Sequence, residues 1–103
     1  KMLDQLPDNP GVLNSYAWRM AEIETNLKDA LQKIKRAVQL AAVDPQRQAN
    51  IIDTEAEVLW KLKRFDEAIE AIERAIVIAP ENQYFRDQKE KFIQSKKGDY
   101  QPA

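Results

Sequence analysis

The chain has 103 residues, 32% of them charged and 44% hydrophobic, which is the balance of one globular domain with a modest core. It has no Cys and no His, which excludes disulfides, thiolate chemistry, Cys/His zinc sites and histidine acid–base catalysis, and its 2 Gly and 5 Pro exclude collagen-like or low-complexity readings. The 16 Lys and Arg against 17 Asp and Glu give a net charge of −1, no footprint for nucleic acid or anionic lipid.

The chain begins with Lys1 rather than Met, which reads as a piece of something longer, and Lys1–Leu6 reads as the tail of a further helix. No apolar run approaches the ~20 residues of a transmembrane helix, and no signal peptide is visible. Membrane insertion is not expected. A soluble protein of cytoplasm or periplasm fits equally well. Pro7-Asp8-Asn9-Pro10 opens the first predicted helix, Pro10–Ile23. Glu24-Thr25-Asn26 breaks it, with Asn26 expected to cap a second helix over Leu27–Ala42. There Leu27, Ala30, Leu31, Ile34, Ala37, Val38 and Ala41 follow the helical i, i+3, i+4, i+7 rule. Asp44-Pro45 opens a third helix, Pro45–Leu62, and Lys63-Arg64 precedes a fourth, Phe65–Ile78. Pro80-Glu81-Asn82 introduces the last, Asn82–Lys96, with Gly98 as its left-handed cap and Gln101-Pro102-Ala103 frayed. Two-residue alternation and hairpin turns are missing, so the chain reads as all-α. Loops this short force antiparallel neighbours.

The sequence repeats. LKDALQKIKRAVQLA (Leu27–Ala41) aligns with FDEAIEAIERAIVIA (Phe65–Ala79) at an offset of 38, pairing Ala30 with Ala68 and Ala37 with Ala75. Leu13-Asn14-Ser15-Tyr16-Ala17 aligns with Ile52-Asp53-Thr54-Glu55-Ala56 at an offset of 39. Each unit is a helical hairpin whose small residues let two backbones approach closely while larger neighbours interdigitate.

These residues resemble the tetratricopeptide repeat. The second repeat supplies Ile52, Ala56, Leu59, Phe65, Ala68, Ile72, Ala75 and Pro80, over Ala49–Asn82, and the first supplies Leu13, Tyr16, Ala17, Met20, Leu27, Ala30, Ile34 and Ala37. The resemblance implies a short right-handed α-solenoid: one repeat over 10–43, one over 45–80, and a capping helix over 82–97, in a single domain. Pro45 comes three residues late for the family's closing proline, and the Asp44-Pro45 pair points to an early start of the third helix. Glu55 occupies a slot that is normally large and apolar, so it needs a Lys or Arg or a place at an edge. A weaker similarity, in Asn14-Ser15-Tyr16-Ala17-Trp18 and Asp53-Thr54-Glu55-Ala56-Glu57, is to repeat segments attached to some bacterial thioredoxin-like proteins.

The resemblance implies a protein–protein interaction module whose concave wall, built from first helices, holds a peptide segment or a partner helix. Helix periodicity picks Asn14, Trp18 and Ala21 in the first repeat and Asn50, Asp53, Glu57 and Trp60 in the second. The candidate site is Asn14, Trp18, Asn50, Asp53, Glu57 and Trp60, with the two Trp at matching concave positions where hot-spot residues are expected. The family's carboxylate clamp of Lys, Asn and Arg would fall on Asn14, Trp18, Thr54, Tyr84 and Gln88, and only Asn14 agrees. The groove's Asp53 and Glu57 suit a neutral or basic segment. The alternative is a structural or oligomerisation segment of a larger protein, with homo-oligomers among its forms. Glu57–Lys61, Glu70–Arg74, Asp29–Lys33 and Asp87–Lys91 are spaced as ordinary i, i+4 ion pairs. There is no phosphate loop and no calcium loop. No catalytic residue, metal or cofactor is expected.

Overall fold

The computed structural model describes residues 6–100. Five helices follow in order: α1 (Pro10–Ile23), α2 (Leu27–Leu40), α3 (Pro45–Lys61), α4 (Phe65–Ile78) and α5 (Gln83–Lys97). There is no strand among the described residues. Of the predicted first segment only Leu6 is described, and it packs partly buried on the core. The expected fraying at 101–103 lies outside the described residues.

The helix starts follow local chemistry. Asn9 accepts from the amide of Val12 (3.1 Å), and Pro10 follows it as the first helical residue. Asp44 does the same for Arg47 (3.2 Å), ahead of Pro45, so α3 does begin early. Asn82 accepts from the amide of Phe85 (3.2 Å). Asn26 is different. Its φ is +50°, its side chain makes no capping bond, and its amide reaches Met20 Sδ (3.7 Å) instead. The preceding Glu24 is already left-handed at φ +52°. The tight turn therefore fixes Asn26 in a conformation where an extended N-cap cannot form. α2 also stops at Leu40 rather than Ala42, where Ala42 and Asp44 turn back onto Gln39 and Ala41.

Packing follows the alanines. α1 pairs with α2 and α3 with α4 as antiparallel hairpins. α2 and α1 both lie on α3, and α5 closes on α4. Ala17, Ala30, Ala37, Ala56, Ala68 and Ala75 are all 0% exposed. Between them the larger Ile34, Leu59, Ile72, Phe85 and Phe92 fill the core. Phe85 and Phe92 dock α5, while Arg86 and Glu90 face water.

Glu55 is 3% exposed and meets two cations, Lys35 Nζ at 3.2 Å and Arg74 Nη2 at 3.0 Å, which tie α2, α3 and α4 together. This contact overrides an expected pair, because Arg74 leaves Glu70 for Glu55. Glu57 pairs with Lys91 (2.9 Å) rather than Lys61, which instead meets Glu24 (3.5 Å). Asp87 accepts from Gln83 (2.9 Å), not from Lys91. Of the four expected pairs Asp29–Lys33 forms, at 3.1 Å. A carboxylate leaving water between helices gains more from a cation than an exposed i, i+4 neighbour does, so the tertiary pairs win.

Candidate functional site

The first helices carry all six candidate residues. α1 presents Asn14 and Trp18, both half-buried. Asn50 is exposed near the start of α3. Asp53, Glu57 and Trp60 follow at helical spacing, and the structure brings these three together against α5. Gln88 donates through Nε2 to Asp53 Oδ1 (3.0 Å) and to Glu57 Oε1 (3.0 Å). The Trp60 indole N–H donates to Ser95 Oγ (2.8 Å), which donates in turn to the Lys91 carbonyl (2.8 Å). Lys91 Nζ sits 3.9 Å from the indole centroid, and Phe92 and Tyr100 pack on the same ring at 6.2 and 5.6 Å.

Electrostatics set these groups apart. Burial pushes the Asp53 carboxyl up to about 6, against the Gln88 amide and the Lys91 ammonium, while the Glu57 charge adds to the rise. Burial, with the Asp53 and Glu57 charges, lifts the Tyr84 phenol to about 12. In the first hairpin burial raises the Tyr16 phenol, and its hydrogen bond to Asp29 (2.6 Å) raises it further. Burial also acts to raise Asp29, but Tyr16 and Lys33 outweigh it and hold that carboxyl below its usual range.

On α1 the Asn14 Oδ1 is buried and has no hydrogen-bond partner among the described residues. Trp18 and Trp60 are not at matching positions: at the 39-residue offset Trp18 falls on Glu57, and Trp60 falls on Ala21. The partners of the stripe were missed from sequence. Gln88, Lys91 and Ser95 recur at i, i+3 and i+7 on α5, a polar stripe that could have been read as facing α3.

Residues 49–82 match the family model of the tetratricopeptide repeat. The matched segment is most of α3, all of α4 and Pro80, so the resemblance carried by Ile52, Ala56, Phe65, Ala68 and Ala75 holds for this hairpin in sequence and in packing. The match spans 34 of the 103 residues. No curated protein and no solved structure matches the chain. The similarity to segments attached to thioredoxin-like proteins therefore has no relative to support it. The tetratricopeptide repeat is in general a protein–protein interaction module, and no described helix is long and apolar enough to cross a membrane.

Proposed function

We propose that this chain is a single protein-binding domain, two hairpins over 10–43 and 45–80 with a capping helix over 82–97, that holds a peptide segment or partner helix along α1 and α3. The observation that carries the reading is the match of α3–α4 to a repeat that generally binds proteins. Two local features support it. Asn50 is exposed, and Asn14 keeps an unpartnered amide oxygen in the same stripe. Turned outward, the Asn14 side chain would offer that oxygen to a peptide backbone N–H, the donor it lacks. Asp53, Glu57 and Trp60 are engaged by α5, so they back the surface and Asn14, Trp18 and Asn50 front it. Panning a peptide display library on the chain tests this. Enriched peptides should bind at least about tenfold more weakly to a folded Trp18→Ala variant, as for a hot-spot aromatic. Enrichment of nothing, or binding indifferent to both Trp18 and Asn50, would refute the reading.

A second reading is an assembly role, favoured by the open side of α1. Val12 is 38% exposed and Ile23 48%. Their counterparts at the 39-residue offset, Ile51 and Leu62, are covered in the second hairpin. Sedimentation of the chain and of Ile23→Lys separates the readings, since only an assembly interface loses mass on that change.

A further inference from the structure

A cavity of about 490 Å³ opens where the ends of α3 and α5 meet the start of α4 and the turn after α1. Its walls are Trp60, Phe65 and Tyr100, and its rim carries Lys61, Lys63 and Glu24. It shares Trp60 alone with the stripe described above. The indole is fixed by Ser95 Oγ, by the edge of Tyr100, by Phe92 and by Lys91. A ligand reaching it therefore orders no loose side chain.

The rim is unusual in its backbone. Glu24 and Lys63 hold the same position in the two hairpin turns, each closing a first helix with φ of +52° and +64°. The Lys63 amide returns to the Trp60 carbonyl (2.9 Å) and the Arg64 amide to that of Leu59 (2.9 Å). Glycine takes this conformation without strain. Here both residues are charged, and both line the cavity.

The charges close to the rim are mostly taken. Arg64 grips Glu67 with two bonds of 2.6 and 2.7 Å, and Lys96 meets Asp66 at 2.7 Å. Lys61 reaches Glu24 at a long 3.5 Å. Lys63 is exposed and makes no ion pair among the described residues. The corner therefore pairs an aromatic hollow with a cation that has no counter-ion.

We propose that this corner binds an acidic peptide segment of a partner protein, one that carries an aromatic or aliphatic side chain beside a carboxylate. The apolar side chain enters between Trp60, Phe65 and Tyr100. The carboxylate pairs with Lys63, while Lys61 stays with Glu24. The volume lies within the ~300–1,000 Å³ of ordinary ligand pockets. The proposal rests on the reading of the chain as a protein-binding domain and gives the partner's chemistry at a second place on it.

The test uses a Trp18→Phe chain, checked for unchanged melting, so that Trp60 is its only tryptophan. The probes are the blocked tetrapeptides acetyl-Gly-Gly-Phe-Asp-amide and acetyl-Gly-Gly-Phe-Asn-amide. The Asp peptide should change Trp60 emission saturably and bind about fivefold more tightly than the Asn peptide, the worth of one exposed ion pair. Lys63→Gln should abolish that preference. In amide NMR spectra of the wild-type chain the shifts should centre on Trp60, Lys63 and Tyr100. No saturable response, equal binding of both peptides, or a preference that survives Lys63→Gln overturns the proposal. Shifts confined to Asn14, Trp18 and Asn50 overturn it too, while leaving the α1–α3 surface as a binding site.

Discussion

The two seams between first-position helices are built on different physics. At the α1–α3 seam the backbones come close, and the stripe residue is the fully buried Ala21. At the α3–α5 seam the axes stand further apart, and Trp60 occupies the equivalent position. Small residues permit close approach, so the first seam holds by dispersion over many backbone and short side-chain atoms. The indole acts as a spacer. The second seam then needs long side chains to bridge it, and Gln88, Lys91 and Ser95 supply hydrogen bonds and charge. A seam of the first kind resists added volume. One of the second kind responds to lost volume and to pH.

The largest effect should come from removing the spacer. Trp60→Ala deletes a packed indole and leaves Ser95 without its donor, which should weaken folding by roughly 3–4 kcal/mol. Urea unfolding of the variant measures it. An unchanged midpoint would mean that the indole serves a ligand and contributes nothing to the seam. The reciprocal change is Ala21→Leu, which adds volume where the helices touch and should cost about 2 kcal/mol by overpacking. If that variant melts with the wild type, the α1–α3 contact is looser than its burial implies.

This contrast also divides what could be read in advance. The ends Pro10, Ile23, Phe65 and Ile78 were legible because prolines, caps and apolar period are local signals. So were the alanine contacts, since two copies of one pattern report the same packing. Asn26 was not legible, because its left-handed φ follows from the turn made by Glu24 and not from its own chemistry. The stripe Asn14, Trp18, Asn50, Asp53, Glu57 and Trp60 was legible as a set of positions. What faces it was not: whether a first helix meets water, a ligand or α5 is a long-range fact, and Glu57 chose Lys91 over the nearer Lys61 for that reason.

The pH response should separate the seams next. Asp53 has its folded pKa raised to about 6 by burial, so the folded chain binds a proton that the unfolded chain releases down to the ordinary carboxylate range. The contribution of Asp53 is complete below that ordinary range and is lost as pH rises through about 6. Acidifying from about pH 7 to 4 should therefore strengthen the α3–α5 seam, on the order of 2 kcal/mol. The groups facing Asp53 are Glu57 on its own helix and Tyr84, Gln88 and Lys91 on α5. Asp29 in the first hairpin has the opposite sign. Its folded pKa is lowered, so its contribution is present above the ordinary carboxylate value and is lost only as pH falls through the lowered one. Chemical unfolding at a series of pH values, on wild type and Asp53→Asn, tests the assignment. The variant should lose the gain between about pH 6 and 4. A gain that persists in Asp53→Asn places the proton elsewhere.

The smallest effect concerns Asn14, and its sign is the informative part. Its Oδ1 is buried without a donor among the described residues, while its counterpart at the 39-residue offset, Asp53, receives Gln88 across the second seam. An unsatisfied buried acceptor costs folding free energy that no contact of the free chain returns. Asn14→Ala removes the cost along with a few contacts, so stability should stay level or rise by up to about 1 kcal/mol. If the side chain turns outward to give this oxygen to a peptide N–H, the same variant should bind panned peptides several-fold more weakly, about one neutral hydrogen bond's worth. Stability and binding then move in opposite directions on one substitution. Loss of stability with binding intact would instead make Asn14 a packing residue of the close seam and withdraw it from the proposed surface.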